Sequence, residues 1–162
     1  MKLEMKNVKF AEFASEETNC YSADIFVNGK KAIHVSNNGH GGCDYQTPIK
    51  PFSHTVVEEV NEWCKNNLPK WGGKEYEFDA DLESWCGDKL NLHLISKKLK
   101  RLLKKKVLFV NPKDNAIYEM GWKKTKILTP KHFEYFKNNN SDVKEILNLM
   151  PFENALALYK NG

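Results

Sequence analysis

Between residues 20 and 27 the chain alternates with a period of two. Tyr21, Ala23, Ile25 and Val27 fall on one side, Ser22, Asp24 and Phe26 on the other, which sets the first group on one face of a strand. Asn28-Gly29 follows, a pair suited to the two positive-φ positions of a tight hairpin. Residues 30–36 return with Ile33 and Val35 in line. Residues 5–13 carry Val8, Phe10 and Phe13 among charged neighbours and predict a strand ahead of these two, so the first 36 residues read as a three-stranded antiparallel meander. A second strict alternation covers 75–82, with Tyr76, Phe78, Ala80 and Leu82 against Glu75, Glu77, Asp79 and Asp81. It predicts a strand, although Asp81 can instead cap the helix that follows. Residues 107–110 and 116–120 predict a hairpin joined through Asn111-Pro112-Lys113-Asp114-Asn115, a run of turn-forming residues.

The other periodic segments repeat every three to four residues. Val56, Val57, Val60, Trp63 and Cys64 share one face of a helix predicted from a Ser53 cap to about Asn67. Residues 83–105 are helical, with a break expected near Gly87 or Ser96, and Leu92, Ile95, Leu99 and Leu102 make the inner stripe. Thr129-Pro130 supplies a cap and a proline at the first helical position, for a helix to about Lys137. Asp142 and Glu145 resemble a capping box that starts a short helix to about Leu149. Pro151 opens a last helix on which Phe152, Ala155, Leu156 and Tyr159 share a face. Strands and helices are partly segregated along the chain, which predicts an α+β fold with a mostly antiparallel sheet, in a single domain over 1–162.

Composition narrows the class. With 41% apolar and 12% aromatic residues the chain has material for a packed core and is not a disordered segment. No apolar run approaches a membrane span, and Met1-Lys2-Leu3-Glu4-Met5-Lys6 lacks a signal-type apolar core. Cys20, Cys43, Cys64 and Cys86 are far apart and without CxxC pairing, which predicts free thiols and a cytoplasmic protein, with no membrane partner. The net charge of +4 permits a polyanionic partner without demanding one.

The densest local chemistry is Asn37-Asn38-Gly39-His40-Gly41-Gly42-Cys43-Asp44-Tyr45, which holds three of the nine glycines. Exposed N–H groups in such a loop can cradle an anion, and the helix start near Ser53 adds a favourable dipole. The first functional reading is therefore a small phosphate-bearing or nucleotide ligand held by Asn37, Asn38, Gly39, His40, Gly41, Gly42, Asp44 and Tyr45. The loop lacks the P-loop lysine and hydroxyl and the dinucleotide-binding glycine spacing. A purely structural turn is the alternative. Cys43, near His40 and His54, is a candidate nucleophile if a histidine and a helix start lower its pKa, although no cysteine-protease signature surrounds it. His40, Cys43 and His54, with Cys64 or Cys86 and His93, have zinc-binding chemistry but no common zinc spacing, so no metal and no cofactor are assigned. The alternating acids from Glu75 to Glu83 read as a solvent face rather than a cation site.

The second reading is a nucleic-acid or nucleic-acid-machinery binding module using the basic helix 97–106. Seven of those ten residues are cationic, and Lys97, Lys100, Arg101 and Lys104 are the polyanion-binding candidates. Leu99, Leu102 and Leu103 interrupt the run at helical spacing, so a solvated face explains the same pattern. Arg101 is the only arginine, which is few for bidentate base recognition. Lys123, Lys124 and Lys126 beside Trp122 make a second basic spot. Tyr45, Trp71, Trp85 and Trp122 are aromatics able to stack on a base; Tyr45 and Trp71, in glycine-rich segments, are the better placed for a surface.

The segment Val27-Asn28-Gly29-Lys30, followed by Ser36 to Tyr45 with its glycine loop, resembles small proteins of bacteriophages and prophages. The lysine-rich helix, the hairpin, Thr129-Pro130 and Pro151-Phe152-Glu153-Asn154-Ala155 extend that likeness over most of the chain. It assigns no residue a role. What it implies is context: the cytoplasm of a bacterial host, a host defence component as a possible partner, and binding rather than catalysis.

Overall fold

The computed structural model describes residues 1–73, 76–121, 128–140 and 143–161. It is an α+β protein with antiparallel sheets, and it divides into two compact units, Met1–Asn91 and Leu92–Gly162.

In the first unit β1 (Leu3–Phe10), β2 (Tyr21–Val27), β3 (Lys30–Asn37) and β4 (Tyr45–Pro48) form a meander in that order. The expected three-stranded sheet thus gains a fourth strand directly after the glycine loop. Asn28 and Gly29 both take positive φ (50° and 82°), as a tight hairpin requires. Ala23, Ile25, Ile33 and Val35 are buried on one face, and α1 (Thr55–Asn67) brings Val56, Val60 and Cys64 into the core. Ser53 does not cap α1: His54 holds the cap position, and the Ser53 hydroxyl meets that of Thr55 (2.7 Å). The first strand stops at Phe10. Phe13 lies in a 3-10 turn, Glu12–Ala14, and is 94% exposed, so its apolarity is not evidence of a strand face.

The alternation at 75–82 yields less strand than it predicts. Among the described residues of this stretch the strand that forms is β6 (Glu77–Phe78), paired with β5 (Trp71–Gly72) in a two-stranded ribbon, and Tyr76 and Phe78 are exposed. Too few partners exist for a buried face, and Asp81 takes its other role. Its carboxylate accepts the Ser84 N–H (2.8 Å), while Ser84 Oγ accepts the Asp81 N–H (2.9 Å), a reciprocal cap for α2 (Leu82–Lys105). α2 runs without a break through Gly87 and Ser96.

In the second unit β7 (Lys106–Val110) pairs with β8 (Ile117–Gly121) on one side and with β9 (Glu145–Ile146) on the other. Thr129 and Pro130 open α3 (Pro130–Asn139) as the sequence predicts. Of the helix expected from Asp142 to Leu149, the described residues 143–149 form none. Residues 145–146 are strand, and Leu147–Leu149 are a 3-10 turn, because Ile146 and Leu147 are drawn into the core beside β7. α4 (Phe152–Asn161) follows and buries Ala155. Leu99, Leu108, Val110, Leu147 and Ala155 form one core cluster, Val107, Phe136 and Ile146 another. Among the described residues no helix is long and apolar enough to cross a membrane.

Candidate functional site

The glycine loop connects β3 to β4, and its backbone is held from inside. Asn37, 7% exposed, is the hub. Its Oδ1 accepts the Thr18 hydroxyl (2.7 Å) and the Gly39 N–H (2.9 Å); its Nδ2 donates to the Gly42 carbonyl (3.2 Å) and to Asp44 Oδ1 (3.1 Å). A carboxamide has two donors and two acceptor positions, so Asn37 keeps none for a ligand. The N–H of His40 donates to Asn38 Oδ1 (3.2 Å) and that of Gly41 to Thr18 Oγ1 (3.3 Å). Three successive N–H groups of the supposed anion cradle, those of Gly39, His40 and Gly41, are therefore engaged within the protein. The Gly39 carbonyl in turn accepts the N–H groups of Glu16, Glu17 and Thr18 (3.0, 2.9 and 3.3 Å).

The glycines divide by what they meet. Gly39, Gly41 and Gly42 all have positive φ, near 85–90°. A Cβ on Gly39 would lie 2.0 Å from the Ala14 carbonyl oxygen, whereas one on Gly42 would meet nothing within 4 Å. Gly39 is needed for close approach of two backbones, Gly42 for its conformation alone.

Beside the loop is an open cleft of about 210 Å³, lined by Thr18, Asn19, Tyr21, Asn37, Gly42, Asp44, Glu83 and Gly87. Its charged groups are the carboxylates of Asp44 and Glu83. Tyr21 donates its phenolic proton to Asp44 Oδ2; burial and the neighbouring Cys86 and Asp44 push the Tyr21 pKa up. Burial also raises the Glu83 pKa, with Asp44 and Asp81 adding to it, against hydrogen bonds from the Asp44 backbone and the Cys43 thiol. These walls repel a phosphate and suit a ligand that carries hydrogen-bond donors or positive charge. Thr18, Asn19, Tyr21, Glu83 and Gly87 are the cleft residues that sequence reasoning missed. Glu83 arrives from a helix 39 positions beyond Asp44 in the sequence, and no local pattern marks it.

Cys43 is exposed. Glu83, then burial, then Asp44 and Asp81 raise its pKa, the opposite of what a thiolate nucleophile requires. The His40 ring sits against Glu16 (3.2 Å). All four cysteines are unbridged, with Cys64 and Cys86 buried, and burial pushes the Cys64 thiol up to about 11. Among the described residues no three His, Cys, Asp or Glu side chains are placed to hold a metal ion. Tyr45 and Trp71 are exposed, as a binding surface would need, while Trp85 is core. Trp122, Lys123, Lys124 and Lys126 lie outside the described residues, as do Glu75 and Asp142.

The basic helix presents a different picture. Lys97, Lys98, Lys100, Arg101, Lys104 and Lys105 are all exposed, and on a 3.6-residue helix they share one side. Leu99, Leu102 and Leu103 occupy the opposite side and pack into the core of the second unit. Lys100 stands 4.9 Å over the ring of Phe152. None of these six cations is in an ion pair among the described residues. In the first unit, by contrast, Lys2 and Lys6 pair with Glu4, Lys31 with Asp24, and Lys65 and Lys70 with Asp79. The charge is divided the same way along the sequence: residues 1–91 hold ten Lys and fifteen Asp or Glu, residues 92–162 fifteen Lys or Arg and six Asp or Glu. The modest net +4 conceals a strongly basic C-terminal unit.

No family model matches the chain, and comparison with curated proteins and with solved structures finds no match either.

Proposed function

We propose that this chain is a non-enzymatic binding protein whose main binding surface, for a polyanion, is the cationic face of α2. The observation that carries this is the set of six exposed cations on one side of a helix, none of them in an ion pair among the described residues and only Lys100 in a cation–π contact there, with Phe152. Cations needed only for solubility can be neutralised by neighbours without loss; a row left open retains its field for a partner. On the phage context implied by the resemblance, that partner would be host nucleic acid or its machinery, and the purpose a counter to host defence. The test is binding to labelled inorganic polyphosphate at rising salt. The intact protein is expected to bind at low salt and release steeply, and Lys97→Gln with Lys104→Gln to bind at least tenfold more weakly. Absence of polyphosphate binding at low salt removes the proposal.

A second reading rests on the cleft beside the glycine loop. Because Asp44 and Glu83 form its charged walls, the small ligand expected there is revised from a phosphate-bearing molecule to one with amine, guanidinium or other donor groups. Calorimetric titration with a guanidinium compound and with a nucleotide compares the two; preference for the nucleotide would restore the phosphate reading.

A further inference from the structure

We infer that the polyanion held by α2 is the phosphate backbone of a nucleic-acid double helix, gripped without reading its bases. This inference rests on the reading of α2 as a polyanion surface. Three observations narrow the occupant.

The apolar side of the helix is already used. Leu99, Leu102 and Leu103 are packed against Leu108, Leu147 and their neighbours, so α2 has no free apolar face to bury in a lipid interface, as an amphipathic membrane-binding helix must. An acidic lipid surface is thereby disfavoured.

The cationic side has the wrong composition for a protein partner. Protein interfaces concentrate their energy in aromatic and arginine anchors seated in pockets. This side carries five lysines and one arginine, and no cavity among those described is lined by any of the six. Its geometry suits an extended row of like charges instead. Lys97, Arg101 and Lys104 follow the i, i+4, i+7 line, flanked by Lys98 and Lys105. From residue 97 to 105 the helix rises about 12 Å, and long flexible stems extend the reach beyond that at both ends. A double helix offers about one negative charge per 1.7 Å of axis, so several phosphates fall within range at once.

The donors present do not read bases. Lysine is a point charge on a mobile stem, whereas guanine recognition in the major groove relies chiefly on the planar fork of arginine, and adenine on Asn or Gln. With Arg101 alone among the six, the face supplies charge and not a pattern of directed donors.

The experiment is fluorescence anisotropy of the full chain with two duplexes of unrelated sequence, between about 50 and 200 mM salt, each phosphate contact contributing about −0.9 to the log–log slope. Inorganic polyphosphate and phosphatidylserine vesicles serve as the other arms. The two duplexes should bind within about threefold of each other with a slope of about −4. Lys97→Gln, Arg101→Gln and Lys104→Gln together should reduce the slope by about 3, near 1 per contact, while thermal melting stays unchanged. Lys2→Gln with Lys50→Gln in the acidic unit should leave the slope where it was. Polyphosphate binding without duplex binding overturns this inference and leaves the polyanion reading standing; failure to bind either overturns both. Tighter binding to vesicles than to duplex assigns the face to a lipid surface. A large preference for one duplex sequence overturns readout by backbone alone.

Discussion

Gly39 and Asp24 show how single residues are fixed by what surrounds them. At Gly39 the Cβ of an alanine would lie 2.0 Å from the Ala14 carbonyl oxygen and 2.9 Å from Cys20 Cβ, at a φ of +89°. Both the backbone conformation and the packing oppose it, so Gly39→Ala is expected to cost about 3 kcal/mol or more. Gly42→Ala, with φ +84° and open space, should cost only about 1 kcal/mol; urea unfolding of the two variants makes the comparison. Asp24 is 6% exposed and is met by Asn7 Nδ2 (2.8 Å), Lys31 Nζ (2.8 Å) and His34 Nδ1 (2.9 Å). Burial pushes its pKa up, but hydrogen bonds from His34, Lys31 and Asn7 outweigh that and bring it from 3.8 down to about 2. A pKa lowered by folding means stabilisation that is complete above the unfolded value and lost as pH falls through the folded one. Asp24→Asn should therefore be less stable by up to about 2 kcal/mol at neutral pH, with the difference shrinking below about pH 4. Urea midpoints of both proteins across pH 2–7, a range set by the two pKa values, provide the check.

At the scale of elements, Asn148 ties three pieces of the second unit together. Its Oδ1 accepts the Leu108 N–H (2.9 Å), and its Nδ2 donates to the carbonyls of Leu103 and Lys106 (2.9 Å each). The end of α2, the start of β7 and the 3-10 turn are thus fixed by one side chain. Asn148→Ala would strand one backbone donor and two acceptors in a partly buried setting, for an expected loss of about 2–3 kcal/mol. Hydrogen exchange should show the loss as faster exchange of the Leu108 amide, well before any change in the first unit's sheet. Asn148→Asp, which turns a carboxylate oxygen toward the Leu103 and Lys106 carbonyls, should cost at least as much as the alanine. Nothing in the local pattern at 142–149 announces this role, because two of the partners lie more than 40 residues away in sequence.

For the molecule as a whole, the uneven charge has a measurable consequence. A chain of net +4 with mixed charges should leave a cation-exchange resin at modest salt, but a resin meets the most cationic surface rather than the average. The protein should elute later than its net charge implies. Lys97→Gln with Lys104→Gln should advance elution more than Lys2→Gln with Lys6→Gln, although both pairs remove the same formal charge. Lys2 and Lys6 are already neutralised by Glu4, while Lys97 and Lys104 have no such partner among the described residues. Equal advances would mean that the α2 cations are screened in solution.

The sequence by itself determined what depends on near neighbours: the β2–β3 hairpin with its Asn28-Gly29 turn, the β7–β8 hairpin, the Thr129-Pro130 helix start, and the leucine stripe that leaves the lysines of α2 outside. Each follows from a periodicity or a turn preference acting over a few residues. Only the tertiary structure decided the rest. It added β4 to the meander, left two paired strand residues among the described residues of the alternation at 75–82, and set a strand and a turn over 145–149 where a helix was predicted, since pairing with β7 and burial of Ile146 and Leu147 outweighed local preference. It also set what the backbone of the glycine loop bonds to. Backbone N–H groups that read as available to an anion are held by Asn37, Asn38 and Thr18, and the carboxylates of Asp44, in the loop just before β4, and of Glu83, in α2, line the adjoining cleft. Glycine content marks where a chain can turn tightly; whether the exposed groups then face a ligand or the protein's own side chains depends on segments distant in sequence.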